Sequence, residues 1–414
     1  MKRKTEVKRI FAAFIAMILL LFVCGTNSID AKTIRLSPDG DWFSVLSGPS
    51  LNGGDEIILA EGVYTDSRRL QINQRGSAGK PIVIRAADDA SVTLKRPDAK
   101  QNTINLLGQY LVIRDIEITG GAAGIRIGKS DDQVCKFIML QNLHIHHIGG
   151  VGVTANNPGE TYEGLFFRGN HIHHTSGHGE AFYLGANNKP DGSTNGYIFD
   201  SVIENNHIHD LKGPQVSQGD GIELKDGSYN NIVRDNVIHD TNYPGVIVYS
   251  TDGKAPNLIE RNVIWNTGNH GIQATADAII RNNVIFQTNG DGIHSRDHQG
   301  AIVGNLQIVH NTILSKSAVR IVSPKQWSGP VVLANNALSV APRVGQDDHI
   351  QQAGNVIGIT EKFPTAQSKC VGAATPRYRV DVDFNKTPRA KTNDAGAFRF
   401  NPNGNPVKKL PAQE

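Results

Sequence analysis

The sequence contains little cysteine, few aromatic residues and no excess charge outside its first segment. Its 414 residues include 3 cysteines, and aromatic residues make up 6% of the chain. The first 31 residues hold five basic and two acidic side chains, so 37 residues of each sign remain from Lys32 onward. So few cysteines exclude a disulfide framework. A neutral chain also lacks the overall positive field that attracts nucleic acid, which is therefore not expected as a partner.

Long apolar runs are also scarce. The single one, Ile10–Val23, spans 14 residues, whereas a membrane-spanning helix needs about 20. It follows a basic start, which predicts a signal peptide over residues 1–31 with cleavage after Ala31. We therefore expect a secreted or periplasmic protein with no stable membrane insertion after cleavage. Lipidation of Cys24 is the alternative.

Two cysteines remain after that segment, Cys135 and Cys370, and they lie 235 residues apart. A disulfide between them would require the C-terminal region to fold back on the rest of the chain. Two buried, unpaired thiols are the simpler expectation.

A repeated motif runs through the middle of the chain. Each copy begins with Asn, followed two residues later by Ile, and the copies start at Asn170, Asn206, Asn236, Asn262 and Asn283. Glycines recur between them, at Gly124, Gly152, Gly179, Gly221, Gly245, Gly271 and Gly292. The intervals between these glycines are 28, 27, 42, 24, 26 and 21 residues. Such a period is too short for an independent domain and fits one coil of a solenoid.

Short segments rich in β-branched residues, such as Val246–Val248 and Ala278–Ile280, lie between the turns. They predict strands of three to five residues, and no amphipathic helical pattern separates them. Asparagine at a fixed corner can form a hydrogen-bonded ladder along the coils. We predict an all-β protein, a parallel β-helix over residues 32–345 with an N-terminal cap. Residues 346–414 are expected to form an irregular C-terminal capping segment and a disordered tail.

The sequence resembles the right-handed pectin-lyase-like β-helix superfamily over roughly residues 33–340. Its opening coils, Gly53–Tyr64 and Gly79–Ala86, are similar to those of chondroitinase B and related alginate lyases. The segment Asn393–Phe398 resembles a common ending of secreted β-helix proteins. The resemblance implies a right-handed β-helix and an enzyme that acts on an acidic polysaccharide.

The repeat glycines set a register, because successive strand side chains alternate between the interior and the outer face. The first two outward columns contain the following residues: Arg126, Thr154, Ala181, Glu223, Ile247, Gln273 and His294, then Gly128, Asn156, Tyr183, Lys225, Tyr249, Thr275 and Arg296. This register puts Lys225 between Tyr183 and Tyr249, one rung of about 4.8 Å from each. Glu180 falls at an inward position, where an unpaired carboxylate is costly, so a local register slip is the alternative.

An outward cluster of a lysine, two tyrosines and two carboxylates predicts β-elimination of a uronate polymer. Lys225 is the predicted base, with Tyr183 or Tyr249 as the acid that protonates the leaving oxygen. Asp220 and Glu223 are predicted to hold Ca²⁺ through their oxygens. The residues expected to bind the acidic polysaccharide are Glu223, Arg296, His294, His270, His178 and Gln273.

The 42-residue coil between Gly179 and Gly221 carries two loops rich in Gly, Pro, Asn and Ser, Ala186–Gly196 and Lys212–Gly219. Long solenoid loops emerge on one face and wall a cleft, so these are expected to border Lys225. We expect a monomeric carbon–oxygen lyase. A uronan C5-epimerase, a noncatalytic glycan-binding or surface β-helix protein and, less favoured, a glycoside hydrolase are the alternatives.

A second motif is a run of histidines around the repeat isoleucine. They comprise His144, His146, His171, His173, His207, His209 and His239. Stacked imidazoles can bind a transition metal, but a regular ladder spaces them along a line. We therefore favour structural or surface stacking over a metal site.

Overall fold

The computed structural model describes residues 31–49, 51–130, 133–187, 196–389 and 393–404. The predicted signal peptide, up to residue 30, and the last ten residues of the predicted tail lie outside the described residues. So does most of the first insertion loop, residues 188–195.

Three parallel sheets wind around one long core, as predicted for a β-helix. The strands of sheet A are Thr33–Leu36, Glu56–Leu59, Ile82–Ala86, Gln109–Arg114, Lys136–Gln141, Thr161–Arg168, Tyr197–Phe199, Val202–Glu204, Ile232–Arg234, Asn257–Glu260, Ala276–Arg281, Gly304–Val309, Val331–Ala334 and Ile350–Ala353. Those of sheet B are Gly62–Thr65, Val92–Arg96, Glu117–Gly120, His144–Ile148, His171–Thr175, His207–His209, Val237–His239, Val263–Trp265, Val284–Phe286, Thr312–Leu314, Ala337–Leu338 and Val356–Ile357.

Sheet C completes each coil. Its strands are Gln71–Ile72, Ile104–Leu106, Ala123–Ile127, Val151–Ala155, Phe182–Leu184, Ile222–Leu224, Val246–Val248, Ile272–Ala274, Ile293–Ser295, Val319–Ile321 and Arg343–Val344. Lys129–Ser130 and Gln133–Val134 form a small antiparallel ribbon, and Pro376–Tyr378 is a 3₁₀ turn. Each strand pairs with the equivalent strand of the neighbouring coil. Equivalent side chains of successive coils therefore stack in columns along the solenoid.

The asparagine ladder runs along the corner between sheets A and B, as predicted. In every step the Nδ2 of one asparagine donates to the Oδ1 of the next over 2.9–3.0 Å. Its members are Asn170, Asn206, Asn236, Asn262, Asn283, Asn311, Asn336 and Asn355. The residue before each of them, for example Asn205 or Asp235, has a positive φ that turns the chain sharply. The ladder therefore satisfies the polar groups that this tight corner buries.

The segments before and after the coils pack against the solenoid in different ways. At the N-terminal end, the helix Trp42–Ser47 buries Trp42, Phe43 and Leu46 against the first coils. At the other end, the chain returns along the outer face of sheet B, where Phe384 and Phe398 pack with strand residues such as Phe286. The first segment therefore covers the N-terminal end of the core, whereas the second covers apolar side chains on the outer face of sheet B. Among the described residues, no helix has the length and apolar character to cross a membrane.

The C-terminal segment is also fixed by polar contacts. The buried guanidinium of Arg389 donates to the carbonyls of Gly396 and Ala397 over 2.8 and 2.9 Å. Asn335 pairs with the backbone of Thr375 in both directions, over 3.0 and 2.8 Å. The segment is thus an integrated part of the fold.

Cys135 and Cys370 are buried and unpaired, which confirms the simpler expectation. Burial raises the pKa of Cys135 to about 12 and that of Cys370 to about 11. Both thiols are therefore protonated at neutral pH, a form that reacts poorly with electrophiles.

The histidines of sheet B stack from coil to coil, as predicted. The ring centroids of equivalent histidines in neighbouring coils lie 4.8–5.2 Å apart. Burial and neighbouring imidazoles lower the pKa of His171 and His207 to about 4 and that of His173 to about 3. These rings are therefore neutral at neutral pH and do not repel one another.

Candidate functional site

The outer face of sheet C carries the predicted cluster. Ile222 and Leu224 point into the core, and Glu223 between them points outward, as the register predicted. Through strand pairing, the same outward column contains the following residues: Tyr183, Glu223, Ile247, Gln273, His294, Arg320 and Arg343.

The register prediction was wrong for one coil. Tyr183 pairs with Glu223 rather than standing beside Lys225, and Ala181 lies in the hydrophobic core rather than facing outward. The reason is that Ala181, not Gly179, occupies the place of the repeat glycine, which shifts the coil by two residues. Gly185 therefore occupies the position next to Lys225.

Lys225 lies at the centre of a buried polar triad. Its Nζ forms an ion pair with Oε1 of Glu223 and donates to the Tyr249 hydroxyl over 3.1 Å. The Tyr249 hydroxyl donates in turn to Glu223 Oε1 over 3.0 Å. Lys225 is 3% exposed and Glu223 is 1% exposed, so this pair is held away from bulk water. Burial and the Glu223 charge raise the pKa of Tyr249, which keeps its hydroxyl protonated.

Tyr183 still meets Lys225 despite the register shift. The Lys225 Nζ lies 4.8 Å from the Tyr183 ring centroid and 4.9 Å from that of Tyr249, within the range of a cation–π contact. The approach is close because Gly185 has no side chain, and a Cβ there would lie 2.8 Å from the Lys225 Cβ. Burial and Glu223 also raise the pKa of Tyr183.

Three carboxylates converge beside this lysine. Oxygens of Glu180, Asp220 and Glu223 all lie within 4.8 Å of one another, and all three residues are buried. Each has one oxygen, Oε2, Oδ1 and Oε2 respectively, that finds no hydrogen-bond partner among the described residues. Burial and the neighbouring carboxylates raise the pKa of Asp220 well above its usual value. Burial, followed by the Glu223 charge, likewise raises the pKa of Glu180.

Glu180 is the member that the sequence register misplaced. Glu180 lies two residues before the strand Phe182–Leu184, and Asp220 lies two residues before the equivalent strand of the next coil. The hydrogen bond from the Ala181 N–H to the Asp220 carbonyl shows that the two positions are equivalent. The second insertion loop lies against this corner, since a Cβ on Gly179 would lie 2.5 Å from Cγ1 of Val216. The described loop therefore borders the carboxylate cluster, as predicted for Lys212–Gly219.

The three carboxylates repel one another when they are ionised, but together they can bind a hard cation. With one lysine nearby, full ionisation would leave two uncompensated negative charges in a buried site, which is costly. Ca²⁺ binds oxygen ligands at about 2.3–2.6 Å, so oxygens within 4.8 Å of one another can share one ion. Their unpaired oxygens are the donors that such an ion requires.

A second ionisable cluster lies three coils further along. The buried carboxylate of Asp291 accepts from Nδ1 of His294 over 2.7 Å and from Arg343 over 2.6 Å. Burial raises its pKa, but the hydrogen bonds from His294, Ser317 and Arg343 outweigh burial and hold the pKa below its usual value. The rings of His270 and His294 stack at 4.0 Å, and burial lowers the pKa of His270 to about 4.

The remaining predicted residues are distributed along the same face. Gln273 is buried between the clusters, and its Nε2 has no partner among the described residues. His178 contacts Glu180 through Nδ1 at 3.2 Å and meets the Tyr183 ring edge-on. Arg296 is exposed, three rungs from Lys225 in the second outward column. The structure therefore joins His178 to the lysine cluster, His270 and His294 to the Asp291 cluster, and leaves Arg296 on the open face.

A family model described as the right handed beta helix region matches residues 98–255 and 191–336, which together cover more than half of the chain. The chain belongs to the right-handed β-helix family. Among curated proteins, none matches this β-helix protein.

Solved structures share the fold at low sequence identity. An alginate lyase from Paenibacillus sp. str. FPU-7 is 20% identical, with a TM-score of 0.55 over 69% of this chain and 96% of its own. The pectate lyase Pel9A is 17% identical, with a TM-score of 0.56 over 90% of this chain and 98% of its own. XylC in complex with xylose is 10% identical, with a TM-score of 0.59 over 88% of this chain and 98% of its own. At these identities the likeness concerns the fold of the β-helix protein.

Proposed function

We propose that the protein is a secreted polysaccharide lyase that cleaves a uronate-containing polysaccharide by β-elimination. The observation that carries the proposal is the joining of one buried lysine, two tyrosines and three buried carboxylates on the outer face of sheet C. Two lyases among the structural neighbours support it, one an alginate lyase and the other a pectate lyase. The basic and apolar residues 1–31 support export.

In the proposed reaction, Lys225 passes a proton to Glu223 across their ion pair, and the resulting amine takes the C5 proton of the uronate. The electron pair of that C–H bond forms the C4–C5 double bond, and the C4–O glycosidic bond breaks. A tyrosine hydroxyl gives its proton to the departing oxygen. Tyr183 suits this role, because its raised pKa keeps the proton in place and its side chain is partly exposed. Tyr249, which is 2% exposed and bonded to Glu223, would position the lysine.

Glu180, Asp220 and Glu223 would hold Ca²⁺, and a bound Ca²⁺ would neutralise the uronate carboxylate and so acidify C5. Without a cation, the same carboxylates would repel an anionic sugar. Protons on Asp220 and Glu180, whose pKa values are raised, relieve that repulsion only in part. Added chelator is therefore expected to lower activity.

Substrate contacts would extend along the same outward column. Gln273, with its unpaired Nε2, and His294 lie two and three rungs from Glu223, and Arg296 is exposed beside His294 in the second outward column. His270 and His178 would flank this path. Rungs of about 4.8 Å make a row of sites along the solenoid, so a polymer would bind parallel to its axis.

The decisive experiment measures unsaturated product by its ultraviolet absorbance, on alginate, pectate, chondroitin and glucuronan, with and without Ca²⁺. Removing a general base costs about 10²–10⁴-fold in rate, so we expect Lys225→Ala to lose at least about 100-fold on the active polymer. Tyr183→Phe removes only a hydroxyl and is expected to lower kcat with little change in fold. Lys254→Ala is the matched control, because Lys254 also lies over two tyrosine rings, at 4.5 and 4.9 Å, but outside sheet C.

Full activity in Lys225→Ala would contradict the choice of base. Because the loss of Lys225 leaves the buried Glu223 carboxylate without its counter-ion, circular dichroism must show that the variant is folded. Tight binding without any product would favour a glycan-binding protein. An exchange of solvent deuterium into C5 without chain cleavage would favour a C5-epimerase, which needs the same base.

A further inference from the structure

The outer face of sheet B presents two columns of imidazoles, which we call the histidine face. The first column contains His144, His171 and His207, and the second contains His146, His173, His209 and His239. A simple ladder would keep the ring nitrogens on separate lines. Instead, Nε2 atoms of the first column approach those of the second column one coil later. The distances are 2.8 Å for His144 and His173, 2.7 Å for His171 and His209, and 3.0 Å for His207 and His239.

These diagonal approaches bring three nitrogens together twice. The ring nitrogens of His144, His171 and His173 lie within 4.8 Å of one another, and so do those of His171, His207 and His209. Zinc–nitrogen bonds of about 2.0–2.1 Å in a tetrahedral site place ligand nitrogens about 3.3 Å apart. The paired nitrogens must therefore separate by about 0.6 Å, and the third nitrogen must approach by at most about 1.5 Å, for all three to bind one ion.

Carboxylates orient the second column. Asp210 accepts from Nδ1 of His209 over 2.7 Å, and Asp240 accepts from Nδ1 of His239 over 2.6 Å. A carboxylate at Nδ1 fixes the proton there and leaves the Nε2 lone pair directed away from it. The same arrangement orients histidine ligands in protein metal sites. On this surface it directs Nε2 of His209 toward His171.

We propose that the histidine face binds one divalent transition-metal ion, such as Zn²⁺, Ni²⁺ or Cu²⁺, through Nε2 of His171, His207 and His209. The ion takes the place of the two protons that Nε2 of His171 and Nε2 of His207 donate to His209 and His239, and each proton moves to Nδ1 of its own ring. All three ligands stay neutral imidazoles, so charge and protons balance. The exposed ring of His207 gives access from solvent.

The histidine face and the carboxylates of sheet C are expected to bind different metal ions, because their ligand atoms differ. Imidazole nitrogens suit zinc, copper and nickel, whereas carboxylate oxygens suit calcium. Because His171 belongs to both triplets, two ions cannot each have three histidine ligands. One tight ion is therefore expected on the histidine face.

The test is calorimetric titration of ZnCl₂ into protein that carries no polyhistidine tag, in buffer containing excess Ca²⁺. We expect one tight site in the wild type and at least about 100-fold weaker binding in His171→Asn, which lacks the shared ligand. His349→Asn is the matched control. His349 has a carboxylate partner, Asp347, at 2.8 Å and stacks on Trp327, but it belongs to neither triplet, and its removal should leave binding unchanged.

Equal zinc affinity in His171→Asn and the wild type would overturn the proposal, as would only weak binding that His349→Asn lowers equally. The half-exposed position of His171 makes misfolding a small risk, and His209→Asn provides a second variant with the same expected loss. Cu²⁺ titration followed by electron paramagnetic resonance adds a direct readout. Nitrogen hyperfine splitting is expected in the wild type, and a spectrum of oxygen ligands alone would contradict the proposed site.

Discussion

Replacement of Asn262 by alanine tests the asparagine ladder at its middle. The Asn262 Oδ1 accepts from the backbone N–H of Asn236 over 3.1 Å and from its Nδ2 over 2.9 Å. Its own Nδ2 donates to the Val233 carbonyl and to Asn283 Oδ1, each over 3.0 Å. Alanine removes all four bonds from a site with no solvent exposure.

The loss of stability in Asn262→Ala depends on which hydrogen-bonding groups are left without a partner. The Asn236 Nδ2 still donates to the Ile203 carbonyl, and Asn283 Oδ1 still accepts the backbone N–H of residue 262. The backbone N–H of Asn236, however, loses its acceptor. An orphaned buried donor costs about 1–3 kcal/mol and each of the three further lost bonds about 0.5–1.5 kcal/mol, so the free energy of unfolding should fall by about 2.5–7.5 kcal/mol.

Equilibrium urea unfolding followed by circular dichroism measures this loss, with unchanged m values as the condition for comparison. Asn289→Ala is the control, because that exposed side chain makes one bond, to the Gly268 carbonyl, and its loss should cost under about 1 kcal/mol. Asn262→Asp keeps an acceptor but turns its second oxygen toward two other oxygens, and it should be at least as unstable as Asn262→Ala. A loss below about 1 kcal/mol in Asn262→Ala would refute the ladder as a source of stability.

Three further predictions concern pH, backbone shape and thiol access. Burial lowers the pKa of His310 from 6.5 to about 3. Below about pH 6.5 the unfolded chain therefore binds a proton at this residue that the folded chain does not bind, and the free energy of unfolding decreases as the pH is lowered. Between pH 8 and pH 5 His310 lowers the free energy of unfolding by about 2 kcal/mol. In His310→Gln the loss of stability over this pH range should be smaller by that amount. Equal slopes would contradict it. Gly185→Ala should lower activity at least about 10-fold by displacing Lys225, whereas Gly300→Ala has the same φ of 93° and open space and should not. The two buried thiols should resist iodoacetamide at pH 8 and react in urea, as peptide masses would show; labelling of the folded protein would contradict their burial.

The architecture was readable from the sequence because it depends on local rules. Motifs starting at Asn206 and Asn236 place isoleucine inside, as Ile208 and Ile238 confirm with full burial. A buried side chain every second residue and a hydrogen-bonding amide at each corner leave a strong periodic signal. Such a signal survives changes in coil length.

The site was only partly readable. Lys225, Tyr249 and Glu223 were placed together correctly, because their coils keep the glycine register. Glu180 and Tyr183 were misplaced, because Ala181 takes the place of the repeat glycine; the costly inward position of Glu180 was the one sequence signal of this slip. Side-chain direction is also absent from a repeat pattern, so the diagonal approach of the histidine nitrogens required coordinates.

The asparagine corner fixes only one point of each coil. Consecutive ladder residues are separated by as few as 19 and as many as 36 positions in sequence, yet their amides meet at one constant distance. Natural variation can therefore lengthen or shorten the turns around sheet C without a penalty at the opposite corner. Changes in loop length beside the proposed site are therefore expected to leave the ladder intact, whereas a mutation in the amide row is expected to destabilise the coils on both sides of it.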